Sequence, residues 1–415
     1  MADAKTGWDT SYEWKAVTLL GLGFGLVGLD RWIIAPLLPS IIKDLNLDYQ
    51  DAGNIIGILG LAWGFFAAIM GGMSDRIGRR KVLIPAIIGF SVLSGVSGMA
   101  TGLVSLLMIR AIMGLTEGSF CPTSFATTND ASHPSRRGIN QGLQQCGFAL
   151  FGLAFAPIIA TQLLKFASWR WVFVTVAIPG LILGVLMFFV IREPQKKTVE
   201  SHEPARKPRY MEIFKSRNIV LSMLALFCAM TGVFVLSAML PNYLTDYLKL
   251  STQQMGFVAS AVGFGGFVGQ FALPGLSDLL GRRIVAIIGF LGSAVMIYVF
   301  IQTGANIGAL FAELFVAVFF ILGLVALLTG PISTEAAPAG LVSSAIGIVV
   351  GAGEIFGGGI APSIAGFVAK NYGIQYILYL CLAGVALGVV VSLFLRETAP
   401  KKIRGHMDRP VRAAV

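Results

Sequence analysis

Long apolar runs alternate with short polar breaks along the whole chain. They lie near residues 14–40, 51–73, 82–100, 103–128, 139–164, 170–191, 217–248, 252–277, 284–302, 306–331, 341–369 and 373–395. A helix needs about 20 such residues to cross a hydrocarbon core of about 30 Å. The pattern therefore predicts an all-α membrane protein with twelve transmembrane helices. The first run, starting near Trp14, is too long for a signal peptide and lacks a small-residue cleavage site, so it reads as the first span. One break differs from the others. Residues 192–216 are rich in Pro, Lys, Arg and Glu and show no apolar periodicity. They divide the chain into a tail (1–13), a six-helix bundle (14–191), a linker (192–216), a second six-helix bundle (217–395) and a second tail (396–415).

Composition sharpens this picture. Of 415 residues, 56% are hydrophobic and 13% charged, and the mean hydropathy is +0.80. That balance excludes a soluble globular protein. The net charge of +10 could suggest a polyanionic partner, but the cations are unevenly distributed. With both termini cytoplasmic, 24 of the 31 cations fall on the inner side. Five (Lys43, Lys165, Arg170, Lys249 and Lys370) fall outside, and Arg31 and Arg110 lie within spans. The positive-inside rule accounts for this asymmetry without nucleic acid. The expected location is the inner (cytoplasmic) membrane of a cell, as a multi-pass monomer. Cys121, Cys146, Cys228 and Cys381 all lie in apolar runs without metal-ligand spacing and read as buried thiols. His133, His202 and His406 lie in loops, and no nucleotide, metal or catalytic constellation is present. No cofactor and no enzymatic activity are expected.

One polar break is duplicated. Gly72-Met73-Ser74-Asp75-Arg76-Ile77-Gly78-Arg79-Arg80-Lys81 returns as Gly275-Leu276-Ser277-Asp278-Leu279-Leu280-Gly281-Arg282-Arg283 with Gly, Ser, Asp, Gly, Arg and Arg at the same spacing. Ala156-Pro157 similarly returns as Ala361-Pro362. Such internal duplication is a property of transporters built from repeats. The duplicated stretch resembles the signature loop between the second and third helices of the major facilitator superfamily. The resemblance implies twelve helices in two pseudo-symmetric bundles. It also implies a charge network at the inner helix ends, in which Asp130 (followed by Arg137) and Glu335 join Asp75, Arg79, Asp278 and Arg282. That network is expected to act as a latch between the bundles, made when the inner side is closed. Arg80, Lys81 and Arg283 read as topological anchors.

Ionisable residues at membrane depth are costly, about 2.5–3.5 kcal/mol near a helix centre on insertion scales. Those within the runs are Asp30, Arg31, Arg110, Glu117, Glu313 and Glu354. Arg110 and Glu117 share a helix face about 10.5 Å apart along the axis. Asp30 and Arg31 point about 100° apart. Leu29-Asp30-Arg31 and Arg110-Ala111-Ile112-Met113-Gly114-Leu115-Thr116-Glu117-Gly118 resemble the anion:cation symporter branch of the same superfamily. That resemblance implies that Asp30 and Glu117 carry protons and that Arg31 and Arg110 bind a substrate carboxylate. Low dielectric disfavours an ionised carboxyl and a nearby guanidinium favours it, so substrate and proton occupancy can be linked. Glu313 and Glu354 read as second proton sites or as partners of an arginine. Gln144, Gln145, Asn242, Tyr243 and Gln270 read as hydrogen-bonding wall of the site or as interhelical contacts.

The expected function is proton-coupled import of a small organic anion, a carboxylate such as a sugar acid, aromatic acid or dicarboxylate. The partners would be that anion, protons and the lipid bilayer, with the proton gradient as the energy source. The rival readings are a drug/proton antiporter, a spinster-like lysolipid transporter of the same fold and a non-transporting membrane sensor.

Overall fold

The computed structural model describes residues 8–133, 136–193, 210–338 and 341–399; within them the side chains of residues 75, 210, 342 and 343, and the surroundings of glycines 71, 72 and 138, are not described. Twelve helices among these residues are long and apolar enough to span a membrane. We number them α1 (Thr10–Leu45), α2 (Tyr49–Ile77), α3 (Arg79–Ser97), α4 (Leu103–Ala131), α5 (Ile139–Leu163) and α6 (Trp169–Val190). The second bundle holds α7 (Arg217–Tyr247), α8 (Thr252–Leu280), α9 (Arg282–Gln302), α10 (Ile307–Ala336), α11 (Ser344–Asn371) and α12 (Tyr376–Leu393).

The spans agree with the apolar runs, but the duplicated stretch is not a loop. α2 continues helically to Ile77 and α3 restarts at Arg79, so one residue, Gly78, makes the turn at φ +113°. Gly281 does the same between α8 and α9 at φ +108°. These values lie in the region that only glycine adopts without strain, which explains the repeated Gly.

Prolines shape the helices that meet at the junction of the bundles. A proline lacks the N–H that would bond the carbonyl four residues earlier. α5 widens into a π-helical turn over Ala149–Phe155 just before Pro157, and α11 does so over Glu354–Ile360 just before Pro362. α7 and α10 carry similar turns next to Pro241 and Pro331. α1 is interrupted at Ile33, three residues before Pro36, immediately after Asp30, Arg31 and Trp32.

The two bundles touch most closely toward the end opposite the described chain ends. Gly53, Gly57 and Gly60 of α2 meet the backbone of Pro362, Gly359 and Gly358 of α11; a Cβ on any of these glycines would lie 2.4 Å from a carbonyl oxygen. Gly263 of α8 lies so close to α5 that a Cβ would sit 1.9 Å from the Ala154 nitrogen. Small residues thus let backbones approach where lipid offers no hydrophobic driving force between helices. Polar contacts join the same seam. Lys370 pairs with Asp48 at 2.7 Å, Tyr49 donates to Asp246 at 2.8 Å and Gln50 donates to the Ser363 carbonyl at 3.0 Å. Among the described residues, the hydrogen bonds and ion pairs that cross between bundles are these and one at mid-depth, between Arg31 and Glu354.

Candidate functional site

Arg31 stands at the junction of the bundles, on the last turn of α1 before its interruption. Its guanidinium lies 5.8 Å from the Trp32 ring, 5.4 Å from Trp63 of α2 and 4.9 Å from Phe234 of α7. Rings at these distances attract a cation through their quadrupoles, by about 0.5–2 kcal/mol each. Its side-chain hydrogen bond runs to Glu354 of α11, Nη2 to Oε2 at 3.0 Å. Both side chains are over nine-tenths buried.

Asp30, one residue earlier, faces into the first bundle, where Ser94 of α3 donates to its Oδ1 at 2.9 Å. Glu117 of α4 is fully buried, and neither of its carboxyl oxygens has a hydrogen-bond partner among the described residues. Its place is set by two flanking glycines. A Cβ on Gly114 would lie 2.6 Å from the Leu59 carbonyl oxygen, and one on Gly118 the same distance from that of Trp63, so α4 presses directly on the α2 backbone. A carboxyl buried without a partner is costly when ionised. Asp30, Glu117 and Glu354 thus surround the arginines with more acids than one ion pair uses.

Arg110 lies inside the first bundle, against the turn of α1 that carries Arg31. Its Nη1 donates to the backbone carbonyls of Asp30 at 3.2 Å and Arg31 at 3.4 Å, and its guanidinium lies 5.7 Å from the Phe173 ring of α6. All these contacts are within the first bundle. Arg110 therefore supports the interrupted turn of α1 that carries Asp30 and Arg31.

The expected wall residues lie at several places in the bundles. Gln144 accepts from Thr128 and donates to Ser124 at 2.8 Å, tying α4 to α5. Gln145, one position on, is exposed. Gln270 is half-buried, with a side-chain oxygen lacking a described partner. Asn242 and Tyr243 lie at the far end of α7, where Asn242 reaches Asp246 at 3.3 Å and Tyr243 stacks on Tyr247. They belong to the closed seam. Glu313 accepts from Thr303, just past the end of α9, at 2.9 Å, and is not part of the Arg31 cluster.

At the end carrying the chain ends, the charge pairs seen among the described residues lie within each bundle. Arg79 pairs with Asp130. Arg282 pairs with Glu335 at 2.8 Å and Asp278 at 2.6 Å. The Asp75 side chain and the surroundings of Gly72 lie outside the described residues. Arg76 and Arg137 are exposed, and Arg80 donates to the Phe188 carbonyl. In this conformation the pairs of Arg79 and Arg282 brace the helix ends of their own bundles. Sequence reading missed the acids completing the braces. Glu193 accepts the backbone N–H of Arg79 at 2.7 Å and of Arg80 at 3.0 Å. Glu397 accepts those of Arg282 at 2.8 Å and Arg283 at 3.3 Å. The signal for them was an Arg-Glu pair, Arg192-Glu193 and Arg396-Glu397, just beyond the last helix of each bundle. Also missed was Glu13, buried near the start of α1, which accepts from Arg136 at 2.6 Å and Asn140 at 3.1 Å.

The model of the Major Facilitator Superfamily matches residues 20–229 and again 222–413. A hexuronate transporter of Bacillus subtilis (strain 168) is 27% identical over 406 residues, covering 92% of this chain and 94% of the relative. The cis,cis-muconate transport protein of Acinetobacter baylyi is 27% identical, covering 93% and 95%. A sialic acid transporter of Escherichia coli (strain K12) is 26% identical, covering 94% and 95%. Among solved structures, a bacterial homolog of the human lysosomal transporter Spinster, inward-facing and occupied, aligns with a TM-score of 0.78 over 93% of this chain and 97% of that one. Its sequence identity is 16%, so the likeness is one of fold.

Proposed function

The chain belongs to the Major Facilitator Superfamily, whose members are transporters and not enzymes, and we propose that it is a proton-coupled symporter importing a small organic carboxylate. The observation that carries this reading is the buried Arg31 guanidinium at the junction of the bundles, boxed by three rings and bonded to a carboxylate. An anion leaving water must recover its hydration energy from fixed positive charge, and the arginine fork does so with geometric selectivity. The named cargoes of the relatives (hexuronate, muconate and sialic acid) are all carboxylic acids, which supports the same reading.

In this reading the termini face the cytoplasm, by the distribution of Lys and Arg. The sealed seam is then periplasmic or extracellular, and the conformation opens inward. Rocking of the bundles about the Arg31 level exposes the site alternately to each side. Asp30 and Glu117 exchange protons with the side that is open. Substrate binding at Arg31 and protonation of these carboxyls favour one another, because each removes like charge from the other's surroundings. The protein works as a monomer, with no cofactor beyond the proton gradient.

The test is thermal unfolding of the purified protein with D-glucuronate, D-galactonate, cis,cis-muconate and N-acetylneuraminate. A ligand at 100 times its dissociation constant stabilises by about 2.7 kcal/mol. Stabilisation by at least one acid, and its accumulation in proteoliposomes under an inward proton gradient, are expected. Stabilisation by lipophilic cations or lysolipids and by none of the acids would overturn the reading in favour of an exporter or a lipid carrier.

A further inference from the structure

We propose that Glu354 is a tethered competitor of the substrate: its carboxylate occupies Arg31 in the empty transporter, and an incoming carboxylate displaces it as Glu354 takes up a proton. This rests on the organic-anion reading above and assigns the site a third proton-carrying acid, contributed by the second bundle.

The geometry makes Glu354 a substitute anion. Among the described residues it is the acceptor of the Arg31 guanidinium, at 3.0 Å, while Asp30 is held by Ser94 and Glu117 is unbonded. The rings of Trp32, Trp63 and Phe234 lie 5.8, 5.4 and 4.9 Å from the guanidinium carbon. Both forks a guanidinium can offer, Nε with Nη2 and Nη1 with Nη2, use the Nη2 that Glu354 occupies, so a substrate carboxylate gripping Arg31 by two hydrogen bonds must displace the Glu354 oxygen.

Charge balance requires a proton for that displacement. Arg31 and Glu354 together carry no net charge. Adding a substrate carboxylate would leave two carboxylates facing one guanidinium at low dielectric, where like charges cannot both remain ionised at low cost. A proton from the side that is open, bound to Glu354, restores neutrality. When the substrate leaves, Glu354 releases that proton and rebinds Arg31. The titratable groups around this region are Asp30 and Arg31 from α1 and Arg110, Glu117 and the Cys121 thiol from α4. α2 brings Gly64, and α7 brings Met230 and Phe234, none of which titrates.

The position suits a coupling element. Glu354 opens the π-helical turn of α11, and the glycines after it, Gly358 and Gly359, lie against Gly60 and Gly57 of α2 in the seam that must separate when the opposite side opens. The pair joins bundles that alternating access moves apart, so its making and breaking follow the transport cycle.

The experiment is calorimetric titration of purified wild-type and Glu354→Gln proteins with each of the four acids at pH 6, 7 and 8. Two buffers of different ionisation heat count the protons taken up. Glu354→Gln is expected to bind about tenfold tighter or more at pH 8, as losing a charged competitor implies. It should take up one proton fewer than wild type on binding, while Glu117→Gln retains the proton that Glu354 carries. A structural ion pair alone would alter thermal stability without altering the proton count. If wild type binds an acid and Glu354→Gln binds it no more tightly with the same proton uptake, the proposal fails and the organic-anion reading stands. If neither protein binds any of the acids, both fail. Should Glu354→Gln not purify as a monodisperse protein, Glu354→Asp, which withdraws the charge by one methylene, is expected to bind more tightly with its pH dependence kept. Unchanged or weaker binding by that variant would overturn the proposal.

Discussion

Asp48 and Lys370 meet at 2.7 Å across the two bundles, at the end of the molecule where the seam is sealed. Asp48 also caps α2 by accepting from the Asp51 N–H at 2.9 Å. Its partial burial acts to raise its pKa, but the Lys370 ammonium and the backbone N–H groups of Asp51 and Gln50 outweigh that and hold it below the usual range. A depressed carboxylate pKa means that the pair contributes above the ordinary value of about 3.9 and fades as pH falls through the depressed one. Both side chains are substantially exposed, so the pair stabilises the sealed seam by at most about 1 kcal/mol. Asp48→Asn keeps the cap and removes the charge. It should shift the open-to-sealed ratio by no more than about fivefold at pH 7, with the difference shrinking as pH approaches the carboxylate range. Spin-label distances across the seam would show this; an equal shift at every pH would remove the ion pair from the seal.

Gly263 faces the α5 backbone with no room for a methyl group. Gly263→Ala should leave each bundle folded, because the clash lies between them, but hold the seam apart. Overpacking costs about 1–3 kcal/mol, which moves a two-state population by about fivefold or more. Cysteines placed at the sealed end should become accessible to a water-soluble maleimide while uptake falls. Unchanged accessibility would mean that the helices slide to accommodate the methyl.

Glu397 caps the start of α9 through two backbone N–H groups. Glu397→Ala should lower stability by about 0.5–2 kcal/mol, the usual cost of a lost cap. Glu193→Ala should do the same for the first bundle. Thermal unfolding measures both, and a variant melting with wild type would show that water replaces the carboxylate.

Arg31 and Arg110 are expected to differ although both are buried cations in the first bundle. Arg31→Ala removes the anion contact and should weaken carboxylate binding by about ten- to a hundredfold. Arg110→Ala leaves the Asp30 and Arg31 carbonyls without their donor, so it should lower the melting temperature as well as the affinity. Equal affinity in Arg31→Ala and wild type, measured by titration, would exclude Arg31 from the anion site.

Glu117→Gln mimics the protonated acid. It should abolish proton-driven accumulation and preserve counterflow exchange, which needs only loaded carriers to reorient. Unchanged accumulation under a pH gradient in proteoliposomes would remove Glu117 from coupling.

Length and polarity of the runs were enough to place twelve membrane helices, because the hydrocarbon core imposes its thickness on every span. The duplicated Gly-Arg stretch was legible for a local reason: only glycine turns at φ +113° and +108°, so Gly78 and Gly281 had to recur. The rarity of charge at depth likewise marked Asp30, Arg31, Arg110, Glu117, Glu313 and Glu354 in advance, of which Glu313 lies apart, bonded to Thr303. Which of them face one another was decided by tertiary structure alone. Arg31 and Glu354 are 323 residues apart, and their meeting depends on how two bundles dock through the glycine seam of α2 and α11. Arg110 and Glu117, seven residues apart, share one helix face; packing sent Arg110 toward the carbonyls of α1 and left Glu117 without a hydrogen-bond partner among the described residues. Helical periodicity orders residues along one helix, but it carries no information about which neighbouring helix supplies the partner.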